Sequence, residues 1–203
     1  MMTDYNIEFV FPTPVILFML DYDKDDLVKK IYEYKQNNDP DGVVRSNENG
    51  WHSNYHVHKD ELFFDFTEQI NNKVGSIIEK NTTKIGRISM VQSWFNINPP
   101  GAFNRKHTHP ECHLSGVLWI KVPEKSGNLI FENANSHVQS TVIDVLNKGI
   151  FPDSFYHKAL AYESIEHKVI LFPSYLSHHV EVNKSNEDRI SFAFNLNIQY
   201  QND

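Results

Sequence analysis

From Lys24 to Gln36 the apolar residues Leu27, Ile31 and Tyr34 recur at helical spacing. From Asp60 to Lys80 a second stripe runs through Leu62, Phe66, Ile70, Val74 and Ile77 or Ile78. Recurrence every three or four residues gathers these side chains on one face, so both segments are predicted to be amphipathic helices. The stretch between them, Asn37 to Val57, is rich in Asn, Asp and Gly and reads as a loop.

From Ile85 onward the period changes to short apolar runs broken by turn residues. Strands are expected at Ile88 to Asn98, His107 to Ile120, Asn128 to Glu132, Val138 to Val145, Val169 to Pro173 and Arg189 to Tyr200. Several short strands in succession imply a sandwich, barrel or jelly roll. The last run alternates most clearly: Ile190, Phe192, Phe194, Leu196 and Ile198 on one face, Arg189, Ser191, Ala193, Asn195 and Asn197 on the other. A sheet face wetted by solvent would carry more Lys, Glu and Thr, so the second face reads as the inside of a ligand-holding barrel. With no repeat, low-complexity block or Gly/Ser-rich linker, residues 1–203 are expected to form one domain. Its helical support spans roughly 22–82 and its β core roughly 85–200.

Composition narrows the function. At 203 residues, 40% hydrophobic and 22% charged, the chain can bury a real core, which excludes disordered and fibrous classes. Nineteen basic against 26 acidic side chains, net −7, argue against nucleic acid or an anionic membrane as partner. Asp4 and Glu8 stand where a signal peptide would be positive, and Pro12 and Pro14 interrupt the stretch Phe9 to Leu20, so a cytoplasmic protein is expected. Eleven His against a single Cys, Cys112, exclude a disulfide scaffold and thiolate zinc clusters. A metal here must be held by imidazole and oxygen.

Three histidines cluster in Asn104-Arg-Lys-His-Thr-His-Pro-Glu-Cys-His113, and His178 and His179 follow Phe172-Pro-Ser-Tyr-Leu-Ser177. If this segment is a strand, His107 and His109 point the same way and can reach one ion, with His178 or His179 as a distant third ligand. A one-residue slip would exchange His178 for His179. Arg189 lies eleven residues after His178, with Ser191 on its face, and a guanidinium fork suits a carboxylate. The plainer reading of Arg189 is an ion pair with Asp188 or Glu187. His137, His157 and His167 read as ordinary polar residues, and His52, His56 and His58 as surface or lining residues. Trp94, Asn96 and Trp119 suit a pocket lining, and the two tryptophans equally a β core. Cys112 beside His113 lacks an orienting third group, so nucleophilic catalysis is set aside. No glycine-rich phosphate loop is present.

Read together, a pair of candidate ligands, a distal His and an Arg-x-Ser some ten residues on resemble the iron(II)- and 2-oxoglutarate-dependent oxygenases of the double-stranded β-helix class. The likeness extends over Phe11-Pro-Thr-Pro-Val15, Gly50-Trp-His-Ser53, Trp94-Phe-Asn96, His107-Thr-His-Pro110, Leu114-Ser-Gly-Val117, Leu171-Phe-Pro-Ser174 and Arg189-Ile-Ser-Phe-Ala-Phe-Asn195. It is nearest to a branch found in marine bacteria and phages. The resemblance implies a jelly-roll, cupin-like barrel flanked by N-terminal helices. It implies Fe(II) held by His107, His109 and His178, and 2-oxoglutarate anchored by Arg189 with Ser191. With O2, the expected reaction is hydroxylation of a small-molecule or protein side-chain substrate with release of succinate and CO2; a homodimer is compatible with it.

The second ligand departs from the class, whose usual pair is His-x-Asp or His-x-Glu. Two sets therefore stay open: three histidines, or His109 and Glu111 with His178 while His107 lies outside. The branch usually carries a small residue at the position of Glu111, which favours three histidines. Two other functions compete: a cupin-like three-histidine metal enzyme without 2-oxoglutarate, and a non-enzymatic jelly-roll binding module.

Overall fold

The computed structural model describes residues 13–81, 85–134 and 158–200. The expected strand Val138 to Val145, with His137 and His157, falls outside them. Among the described residues the fold is mostly β, with two antiparallel sheets and few helices. No helix among the described residues is long and apolar enough to cross a membrane.

Both expected helices form. α1 spans Lys24–Asn37; the Asp23 side chain caps it by accepting from the backbone N–H of Asp26 at 3.1 Å, and Leu27, Ile31 and Tyr34 are buried. α2 starts later than the apolar stripe suggests, at Phe64–Glu79, behind short 3-10 turns at Val57–Lys59 and Glu61–Phe63. Ile70, Val74 and Ile78 are buried there, whereas Leu62, on the preceding turn, is exposed.

The described residues form eleven strands: β1 (Ile16–Met19), β2 (Asn47–Glu48), β3 (Trp51–His52), β4 (Ile85–Asn98), β5 (Phe103–His107), β6 (Leu114–Lys121), β7 (Leu129–Glu132), β8 (Ala159–Tyr162), β9 (Lys168–Pro173), β10 (His178–Val180) and β11 (Arg189–Tyr200). The larger sheet has the order β1-β9-β6-β11-β4-β3 and the smaller β2-β5-β10-β7-β8. Two expectations need correcting. The single run His107 to Ile120 is two strands in different sheets, because residues 108–113 turn between them. The loop Asn37 to Val57 is tied into both sheets, Asn47 and Glu48 pairing with β5, Trp51 and His52 with β4.

β11 shows how the layers are built. Ile190, Phe192, Phe194 and Leu196 face a core shared with Ile31 of α1, Ile70 and Val74 of α2 and Phe95 of β4. The opposite face of β11 is also buried: Arg189 and Asn195 are each 2% exposed. A second apolar cluster, Trp119, Leu129, Phe131, Ile170, Phe172 and Leu176, joins the two sheets. The helices thus cover the outer face of the larger sheet, and on its inner face the polar side of β11, beside this second cluster, lines a cavity.

Candidate active site

His107 ends β5 and His178 begins β10, directly opposite it in the antiparallel pairing. Their ring centroids lie 4.3 Å apart. His109 stands in the turn beyond β5, where its backbone N–H donates to the carbonyl of Ser174 at 2.9 Å. This turn brings its ring to 5.0 Å from His107 and 5.2 Å from His178, stacked on the latter at 5°. One ring nitrogen from each of the three lies within 4.8 Å of the others.

Backbone carbonyls set the tautomers of two rings. His107 Nδ1 lies 2.7 Å from the Arg105 carbonyl, and His178 Nδ1 2.8 Å from that of Leu176. A carbonyl only accepts, so Nδ1 carries the proton and Nε2 keeps its lone pair. His109 Nδ1 instead lies 3.3 Å from the Asn195 amide. That amide also bonds Ser115 Oγ at 2.8 Å and Gln92 Oε1 at 2.7 Å. Burial pushes the pKa of His109 down to about 4, helped by His107 and His52, and that of His178 to about 3; His107 is lowered by the same cause. All three imidazoles are therefore neutral near pH 7, the form that donates a lone pair to a metal.

The cluster sits where two cavities meet. The inner one, about 50 Å³, is lined by the three histidines together with Trp94, Asn96, Asn104, Trp119, Arg189 and Ser191. Arg189 Nη1 donates to the carbonyls of Ser126 and Glu181, while Nη2 is buried without a hydrogen-bond partner. Asn96 Oδ1 is likewise unpartnered. A buried, unsatisfied guanidinium nitrogen is costly, and here burial lowers the Arg189 pKa to about 10. The expected local ion pairs are absent: Asp188 accepts from the Tyr32 hydroxyl at 2.7 Å and Glu187 holds Lys121 at 3.0 Å. The outer cavity, about 680 Å³, opens on the other side of His107 and His109.

Glu111 is exposed and lines the outer cavity, apart from the three-nitrogen cluster. His179 turns to Glu132 at 3.5 Å, and His113 Nδ1 accepts from the backbone N–H of Ile198 at 3.0 Å. His167 Nδ1 is engaged by the Leu20 carbonyl at 3.1 Å, and Cys112 stays a free thiol. His58 bonds Ser93 Oγ, and His56 is exposed. His52 is buried, stacked on Trp94 at 5.2 Å and 7°, and Trp94 stacks in turn on His109 at 5.6 Å. The sequence did not single out Asn195 as a partner of His109; the alternation of β11, which puts it on the face of Arg189, carried the signal for it.

Neutral imidazole nitrogens converging beside a buried arginine are the donor set of a non-haem metal enzyme that handles an anionic cosubstrate. A family model described as "Putative 2OG-Fe(II) oxygenase" matches residues 92–195. The chain belongs to this family: it is a 2-oxoglutarate- and Fe(II)-dependent oxygenase, with Fe(II), 2-oxoglutarate and O2 as its cofactors and cosubstrates. Solved structures share the fold. A Pseudomonas putida prolyl-4-hydroxylase is 14% identical, with a TM-score of 0.62 over 90% of this chain and 92% of that one. HygX from Streptomyces hygroscopicus with nickel and 2-oxoglutarate is 9% identical, TM-score 0.59, over 91% and 83%. The viral collagen prolyl hydroxylase of Paramecium Bursaria Chlorella virus-1 is 12% identical, TM-score 0.58, over 90% and 94%. No curated protein matches the chain in sequence.

Proposed function

We propose that His107, His109 and His178 hold the iron and that Arg189, with Ser191 beside it, holds the distal carboxylate of 2-oxoglutarate, within one double-stranded β-helix domain. The observation that carries this reading is the unpartnered Arg189 Nη2, buried in the same cavity as three mutually close imidazole nitrogens. A carboxylate oxygen would satisfy that nitrogen and offset its charge. Iron with 2-oxoglutarate and O2 supplies the oxidative decarboxylation to succinate and CO2 that drives attack on a substrate C–H bond.

The chain's own part is orientation. The Arg105 and Leu176 carbonyls hold the His107 and His178 rings with Nε2 free. His109 offers Nε2 only when Nδ1 carries the proton, which requires Asn195 to turn its amide oxygen toward it. Rotating the amide by 180° keeps its shape; its nitrogen then donates to Ser115 Oγ, and Gln92 turns its own amide to match. The inner cavity is lined by both Arg189 and the three histidines, so a diacid held at Arg189 would extend toward them. The outer cavity is left for the substrate, a small molecule or a protein side chain, and hydroxylation is the expected outcome.

Anaerobic addition of Fe(II) and then 2-oxoglutarate tests the scheme. A weak visible charge-transfer band and, on admitting O2, succinate release are expected. A protein that binds Fe(II) but shows neither band nor succinate would overturn the 2-oxoglutarate reading of Arg189.

A further inference from the structure

The outer cavity reverses the sign of the chain. The protein carries a net −7, yet Arg45, Arg105 and Lys106 line this cavity against one acid, Glu111. Two of the three cations are engaged: Arg105 pairs with Glu48 at 2.9 Å and Lys106 with Glu132 at 3.8 Å. Arg45 has no carboxylate partner among the described residues. Its Nε donates to the Tyr55 hydroxyl at 2.9 Å and its Nη1 to the Val44 carbonyl at 3.4 Å, and its guanidinium lies over the Tyr55 ring, 5.6 Å from the centroid. Among the described residues Nη2 makes no hydrogen bond or ion pair.

The segment carrying Arg45 is held at several points. The Arg45 backbone N–H donates to Asn47 Oδ1 at 2.7 Å, and its carbonyl accepts from Arg105 Nη2 at 2.9 Å. The Ser46 carbonyl accepts from the Arg105 backbone N–H at 2.7 Å. A fork fixed by its neighbours loses little freedom on gripping an anion. From Tyr55 an aromatic wall leads inward: Tyr55 packs edge-on against Trp94 at 5.4 Å, and Trp94 stacks on His109.

We propose that the outer cavity takes a small organic monocarboxylate, its carboxylate on Arg45 and its body along Tyr55 and Trp94, beside His107 and His109. One unpaired fork matches one carboxylate. A phosphate dianion would call for a second free cation, and Arg105 and Lys106 are already paired. A volume of about 680 Å³ lies within the range of small-molecule pockets. The proposal rests on 2-oxoglutarate occupying Arg189 in the inner cavity, since otherwise Arg45 would be free to serve the cosubstrate.

The test uses the whole protein loaded with nickel(II) and 2-oxoglutarate, titrated calorimetrically with a panel of N-acetyl amino acids, their carboxamides and small phosphate monoesters. At least one acid should bind, with its carboxamide about tenfold weaker or more, the weight of a lost charge-assisted hydrogen bond. Arg45→Gln should abolish the preference for acid over amide, Arg45→Lys should keep part of it, and 2-oxoglutarate should bind Arg45→Gln as tightly as the wild type. The proposal is overturned if no acid of the panel binds, if amides or phosphate esters bind as well as acids, if the preference survives in Arg45→Gln, or if that variant weakens 2-oxoglutarate. Failure of the wild type to bind 2-oxoglutarate would overturn the reading of Arg189 together with this one, whereas failure confined to the acid arm overturns this one alone.

Discussion

His107 and His178 are direct partners across the β5–β10 pairing, with rings 4.3 Å apart, although 70 residues separate them along the chain. The register of that pairing selects His178 over its neighbour, because adjacent strand residues face opposite ways. His178→Ala should therefore lower the affinity for Fe(II) or Co(II) by more than about 100-fold, beyond the usual effect of an outer-shell change. His179→Ala should leave it near the wild-type value, since His179 turns to Glu132. Competition with a metal chelator measures both, and equal losses in the two variants would refute the register argument.

In the proposed iron site, Asn195 is the residue that orients His109. Asn195→Leu removes the amide that faces Nδ1 and should weaken metal binding about 10- to 100-fold. Asn195→Asp keeps an acceptor and should retain most of the affinity. A Co(II) titration of the two variants separates this role from simple loss of packing, which would affect both alike.

Arg189→Lys keeps a positive charge in the inner cavity but loses the planar fork. Its Kd for 2-oxoglutarate should rise about 10- to 100-fold, with metal affinity unchanged. Titrating the charge-transfer band reads the first quantity, and chelator competition the second.

Gly116 lies opposite Phe194 in the β6–β11 pairing, and a Cβ at 116 would run into the Phe194 ring, which is fully buried. Gly116→Ala should cost about 1–3 kcal/mol of stability by overpacking. Urea denaturation measures the loss, and Gly116→Ala combined with Phe194→Leu should recover part of it.

The metal-free protein should lose stability as pH falls from 6.5 toward 4. His52 is 3% exposed, and burial lowers its pKa from 6.5 to about 4. Above pH 6.5 the ring is neutral in both folded and unfolded chains. Below it the unfolded chain takes up a proton that the folded chain refuses until about pH 4. His52 adds at most about 1.4 kcal/mol per pH unit to this slope, and His109 and His178, lowered by the same burial, add to it. His52→Gln should make the slope shallower by the share of one histidine without removing it, as measured by urea midpoints in chelator at several pH values.

The two helices were legible because Leu27, Ile31 and Tyr34, and Ile70, Val74 and Ile78, repeat at the period of a helix packed by one face. The alternation of β11 was equally plain, since one of its faces meets the helices and the other the cavity. β2 and β3 were not legible. Each has two residues, too few for any period, and they form only because β5 and β4 offer them free edges. The break after His107 was only hinted at: Pro110 interrupts the segment 108–113, but no local signal says that the chain leaves one sheet for the other there.

By itself the sequence determined the kinds of ligand available, imidazole in excess with one thiol, and the strand that carries Arg189, Ser191 and Asn195 on one face. Local periodicity decides such things, because it depends only on neighbours along the chain. Tertiary structure decided which histidines meet, that Glu111 stands apart from them, and that Arg189 is buried without the acids beside it in sequence. Those outcomes depend on the register of strands far apart in the chain and on the turn that swings His109 back to the cluster, and no local pattern encodes a distance between such segments.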